Sequence, residues 1–155
     1  MTAIVAELCQ KFGGRFLKFE TEMPTTQAAA TVLQCDERSV IKTCIVKSKN
    51  VFSAVILQGT DRIDQKKLQA VVGKFSFAKP DEVVASTGYP AGGVPPFGFS
   101  EKIEQVVIDR NVFSHQIVYG GGGSKETLVQ IAPKMIQTIN EASKIAIRIE
   151  DIRSS

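Results

Sequence analysis

Two apolar runs dominate the first half of the chain. VIKTCIV (40–46) and VFSAVILQG (51–59) are rich in β-branched residues and bounded by polar turns. That pattern predicts two strands, the first of them buried. The intervening KSKN predicts a hairpin-like turn. Around these strands the spacing becomes helical. MTAIVAELCQKFGG predicts a short amphipathic helix ended by Gly13-Gly14. Pro24-Thr25-Thr26 opens the alanine-rich helix QAAATVLQ with a hydroxyl cap, and Asp36-Glu37-Arg38 reads as a polar turn. Asp64 caps QKKLQAVV, where Leu68, Val71 and Val72 share a face and Gly73 closes the helix. Pro80, with Asp81 and Glu82 in the first turn, starts another helix that ends at Gly88. Farther on, QVVID (105–109) and SHQIVYG (114–120) read as strands, and SKETLVQIA as a turn into a strand. Ala132-Pro133 begins a helix through Ile139-Asn140, and the alternating tail KIAIRIED suits an edge strand. Interleaved elements with hairpin-length connections predict an α/β (mixed α+β) fold with a mixed sheet, not a doubly wound parallel one. We expect one domain over residues 1–155.

Composition narrows the function classes. The apolar fraction of 43% is that of an ordinary globular protein. No apolar run approaches the ~20 residues needed to span a bilayer, and the N-terminus has no basic leader segment. The expectation is a cytosolic protein without a membrane partner. Cys9, Cys35 and Cys44 are widely spaced and His115 is the one histidine, so the ligand set of a structural zinc site is missing. We expect no metal and no cofactor. The net charge of +3, with scattered lysines, favours a local nucleic-acid contact such as a strand end over a long duplex.

Three features carry candidate chemistry. GYPAGGVPPFG (88–98) holds four glycines and three prolines in eleven residues, which forbids a helix or a central strand. Gly92-Gly93 leaves the backbone open to close approach, and Pro95-Pro96 stiffens it. Lys42 stands inside an otherwise apolar strand. Its ammonium either snorkels to water or points into a cleft to hold a phosphate or carboxylate. Thr43 faces the other side of the sheet, where its hydroxyl needs a partner. GGGGSKET (120–127) fails as a phosphate loop, because Ser124 precedes Lys125 and Glu126 stands where a hydroxyl is needed. Successive glycine amides there suit either one oxygen ligand or a plain turn. Ser114-His115 makes no triad, and Asp109 reads as a strand-end ion pair or turn cap.

VIKTC, STGYPAGGVPPFG, VVIDR and the glycine cluster after IVYG occur in the order found in the YbaK/prolyl-tRNA editing family, which the chain resembles over roughly residues 24–140. The resemblance implies a compact domain with a curved, barrel-like mixed sheet surrounded by helices. It implies an aminoacyl-tRNA deacylase acting on the tRNA 3′ acceptor end, with a tRNA synthetase as a possible associate. Lys42 matches the family lysine, and Gly92 to Pro96 the G-x-x-x-P loop. Lys42, Gly92, Gly93 and Val94 are then the catalytic candidates, with the 92–94 amides as oxyanion donors. Thr43, Pro96, Gly120, Gly121, Gly122 and Thr127 are the substrate-binding candidates. Gly120 and Thr127 replace a serine and an acid of some members, which leaves the amino acid removed open; cysteine or alanine on proline tRNA lead. The competing expectation is a non-catalytic module that binds an aminoacyl or nucleotide end.

Overall fold

The computed structural model describes residues 2–155; Met1, the first residue of the expected N-terminal helix, lies outside the described residues. Eight strands and five α-helices follow in the order α1 (Thr2–Lys11), β1 (Arg15–Lys18), α2 (Thr26–Leu33), β2 (Ile41–Ser48), β3 (Val51–Gln58), α3 (Gln65–Val72), β4 (Ser76–Phe77), α4 (Pro80–Thr87), β5 (Ile103–Asp109), β6 (Val118–Gly121), β7 (Thr127–Ile131), α5 (Pro133–Ala142) and β8 (Ala146–Glu150) among those residues. A mixed five-stranded sheet runs β4-β2-β3-β5-β8, and an antiparallel three-stranded sheet runs β1-β7-β6. The fold is thus mixed α+β, as expected. The barrel-like closure implied by the family resemblance is absent: the two sheets meet through a single bridge between Val40 and Tyr119.

The two apolar runs form β2 and β3, paired antiparallel. Lys49 and Asn50 both take positive φ, the mirror-image turn whose twist suits a tight hairpin. Side chains alternate between two cores, as a strand's period of two requires. Ile41, Ile45, Ala54, Ile56, Val106 and Ile108 enter the main core with α1, α5 and the smaller sheet. Val46, Val55, Leu57 and Val107 enter a second core under Leu68 of α3. Burial on both faces explains why these strands read as continuous apolar runs. By the same alternation, Thr43 belongs to the main-core face and Lys42 to the α3 face.

Two differences from the sequence reading have simple causes. β1 and β4 are only four and two residues long, too short for a periodic signal. The expected strand from Ser114 starts at Val118 instead, because Asp109 accepts the Asn111 amide and turns 110–114 into a 3-10 helix. KIAIRIED forms the edge strand β8, as expected, paired parallel to β5. No helix of the described residues is long and apolar enough to cross a membrane.

Candidate active site

Thr25 accepts the Ala28 amide and starts α2, whose first turn faces the beginning of β2. Beyond β2 on that side there is no strand until β4 reaches Val46 and Lys47. The Val40 carbonyl accepts the Gly59 amide toward β3, and the Ile45 carbonyl accepts the Ala78 amide on the opposite edge. Strand alternation then turns the backbone of Thr43 outward to that open edge. A cavity of about 330 Å³ sits there, walled by the start of α2, the edge of β2, and segments 92–94 and 120–121.

Lys42, Thr43, Gly92, Val94, Gly120 and Gly121 all line this one cavity. Four other candidates do not. Gly93 lies behind Gly92, with its carbonyl accepting the Gly123 amide at 2.8 Å. Pro96 packs against Gly120 from behind, where a Cβ on the glycine would meet its ring at 3.3 Å. Gly122 and Thr127 close the β6–β7 turn. Thr127 is buried, and its hydroxyl lies 2.8 Å from that of Ser124 rather than in the cavity.

The backbone of the Gly/Pro loop explains its composition. Gly93 donates to the Pro90 carbonyl, with Gly92 at φ +87°, as the third residue of a type II turn requires. This leaves the Gly92 and Val94 amides without an acceptor among the described residues. Both residues line the cavity. The loop is held at both ends: the Tyr89 hydroxyl donates to the Gly98 carbonyl at 2.7 Å, and buried Asn140 of α5 donates to the Pro96 carbonyl at 3.0 Å. Unspent N–H donors on residues that line a cavity can stabilise negative charge developing on an oxygen. The N-terminal turn of α2 adds its positive dipole end to the same space.

Lys42 is tied to the segment after β3. Its ammonium donates to the Asp61 carbonyl at 2.6 Å and the Gly59 carbonyl at 3.3 Å. An ammonium has three donors, so one remains for a ligand. The neighbouring Cys44 thiol has its pKa pushed up by burial, which removes it as a nucleophile. Among the described residues no group of three or more metal-ligating side chains comes together. The cavity's inner wall is apolar and built from Met23, Ala29, Val40 and Leu128, all buried. Sequence reasoning missed this wall, because it exists only where α2 packs on β7.

Residues 20–139 match the model of the aminoacyl-tRNA editing domain. The chain belongs to that family. Among curated proteins, it is 29% identical to the uncharacterised YwhH of Bacillus subtilis over 76% of this chain and 75% of that one. It is 31% identical to the proline–tRNA ligase of Thermodesulfovibrio yellowstonii over 70% of this chain. It spans only 18% of that ligase's length. Among solved structures, the hypothetical protein APE2540 superposes with a TM-score of 0.83 at 31% identity, covering 97% of this chain and 99% of that one. A protein provisionally named a trans-editing enzyme for prolyl-tRNA synthetase superposes with a TM-score of 0.86. It covers 99% of this chain and 97% of that one, at 20% identity, and so speaks to the fold. An editing-domain fold therefore carries the cavity, and the chain is an editing-domain protein whose relatives include proline–tRNA ligases.

Proposed function

We propose that this editing-domain protein is an aminoacyl-tRNA deacylase acting in trans. Its substrate would be a proline tRNA mischarged with cysteine or alanine, met in the cytoplasm during protein synthesis. The observation that supports this most directly is the pair of unspent amides, Gly92 and Val94, on the same cavity as Lys42.

In the reaction, water adds to the ester carbonyl carbon and the carbonyl oxygen becomes an oxyanion. The two amides receive that charge without reorganising. The tetrahedral species then collapses, the bond to the ribose oxygen breaks, and that oxygen takes a proton. Free amino acid and tRNA leave. The remaining donor of Lys42 holds a phosphate or ribose oxygen of the terminal nucleotide. Among the described residues no side chain in the cavity is placed as a general base, so a group of the substrate itself, on the ribose or the amino acid, activates the water. The apolar wall at Met23, Ala29, Val40 and Leu128 takes the acyl side chain. Gly93, Pro96, Gly122 and Thr127 act as positioning residues behind the amides.

The test is deacylation of a panel of mischarged tRNAs, with Lys42→Ala alongside. Hydrolysis of at least one member, lowered by that substitution, is expected. Binding of tRNA without hydrolysis of any member would remove the enzyme claim and leave a binding module.

A further inference from the structure

A second cavity lies on the other side of the segment that leads into β2. Ser39 lines it while Val40 lines the first. Its volume is about 520 Å³, and its walls are Asp36, Arg38, Ser39, Gln58, Asn111, Ser114 and His115. Not one apolar side chain contributes. Such a cavity takes a polar ligand, since its walls lose their water on binding and need hydrogen bonds in return.

The charge balance says which kind. Arg38 is the one basic side chain on the wall other than the histidine, and its guanidinium is already forked onto Asp36, with contacts of 3.0 and 2.6 Å. A phosphate would find that cation neutralised. What remains is uncharged hydrogen-bonding capacity. The carboxamide of Asn111 has no side-chain partner among the described residues, and it offers a donor and an acceptor together. Ser39 and Ser114 each spend their proton on a backbone carbonyl, at 2.7 Å in both cases, and keep lone pairs for a ligand. The floor is rigid. Gln58 donates to the Asp61 carboxylate at 2.9 Å, so its other end must accept from His115, whose Nε2 lies 2.5 Å away. The backbone carbonyl of that same Asp61 holds Lys42.

We infer that the second cavity binds the base of the nucleotide that precedes the terminal one on the acceptor strand. This rests on the editing reading for the identity of the strand. Single-stranded RNA is read by hydrogen bonds to the exposed edges of splayed bases, and mixed amide, hydroxyl and imidazole groups supply those bonds. The shared wall at Ser39 and Val40 places the two subsites side by side.

The probes are the ribotrinucleotide CCA and the same trinucleotide with an abasic middle position, bound to the full chain and followed by fluorescence polarisation. Wild type should lose roughly tenfold in affinity on base removal, and Asn111→Ala/Ser114→Ala should lose little, having already lost the contact. Equal losses in both proteins, or wild type that binds neither RNA, would overturn the inference. Binding is independent of hydrolysis, so failure of the deacylase reading leaves this result readable. Where hydrolysis is found, the double variant should raise KM for aminoacyl-tRNA with kcat kept, and should leave hydrolysis of aminoacyl-adenosine unchanged. His115→Ala should affect both substrates, because releasing Gln58 also loosens Asp61 and Lys42.

Discussion

The Gly123 amide donates to the Gly93 carbonyl across 2.8 Å, and this bond joins the two glycine-rich segments into one structure. A Cβ on Gly93 would lie 2.8 Å from the Ser124 carbonyl carbon, and one on Gly121 would lie 2.5 Å from the Val94 oxygen. Gly93 and Gly121 are bare because the other segment's backbone occupies the space. This resolves the alternative left open by GGGGSKET. Gly121 serves the close approach to Val94, Gly122 the turn onto Thr127, and of these glycines Gly120 and Gly121 reach the cavity wall.

Gly121→Ala therefore tests the fit between the segments. Overpacking of this kind typically costs about 1–3 kcal/mol, and the atom in the way is backbone. Urea denaturation should show a lower midpoint. In the surviving folded protein, deacylation should fall further than stability does, because the strain is relieved by moving the Val94 peptide.

Removing one amide proton tests the oxyanion site directly. Val94→Pro deletes the donor while leaving the chain path nearly as it was, since Pro95 already confines residue 94 to extended backbone. Loss of one such donor typically costs about 10²–10³ in rate. Val94→Ala keeps the amide and removes two methyl groups, so it controls for packing. We expect Val94→Pro to lose hydrolysis by that factor with an unchanged circular dichroism spectrum, and Val94→Ala to retain most of it. Equal activities would place the oxyanion elsewhere.

How much of this was readable in advance follows from where each constraint acts. β2 and β3 are legible in the sequence because both faces are buried, and Lys42 stands out against that background. Asp64, Gly73, Pro80 and Gly88 marked helix ends because capping is local chemistry. The cavity's apolar wall was not readable. Met23, Ala29 and Leu128 are ordinary core residues in sequence, and they become a wall only when β2 is left unpaired at one edge. Nor does spacing reveal that Lys42 is held by the Gly59 and Asp61 carbonyls, which depend on how the β3–α3 connection folds back over the sheet.

Asp109 supports the fold from a distance, as the ion pair and cap expected of it. It is fully buried at the end of β5, and accepts from the Asn111 amide, the Ile152 amide and the Arg153 guanidinium at 2.9–3.0 Å. Those bonds pin the C-terminal segment to the sheet. Asp109→Ala leaves the buried Ile152 amide and the half-buried Asn111 amide without an acceptor and leaves Arg153 with Asp151 alone, and two unsatisfied groups at about 1–3 kcal/mol each make this the larger loss. Arg153→Ala removes one of three donors and should cost less, about 1–2 kcal/mol. Chemical denaturation of the two variants checks the order, and an equal or reversed pair of values would contradict this account.

Cys9 gives the fold an alkaline limit. It is fully buried in α1 against Gly14, and burial pushes its thiol pKa up from 9.0 to about 11, partly offset by a hydrogen bond from the backbone of Gln130. The folded state thus favours the protonated thiol more than the unfolded chain does. That preference contributes in full below about pH 9 and is lost as pH rises toward 11. Stability should decline across that window, and Cys9→Ala should flatten the decline while lowering stability at neutral pH through the cavity it leaves. Native protein at pH 8 should also leave Cys9 unmodified by a thiol reagent that labels it fully in urea. Rapid labelling of Cys9 without denaturant would show that the α1 packing opens far more readily than its complete burial implies.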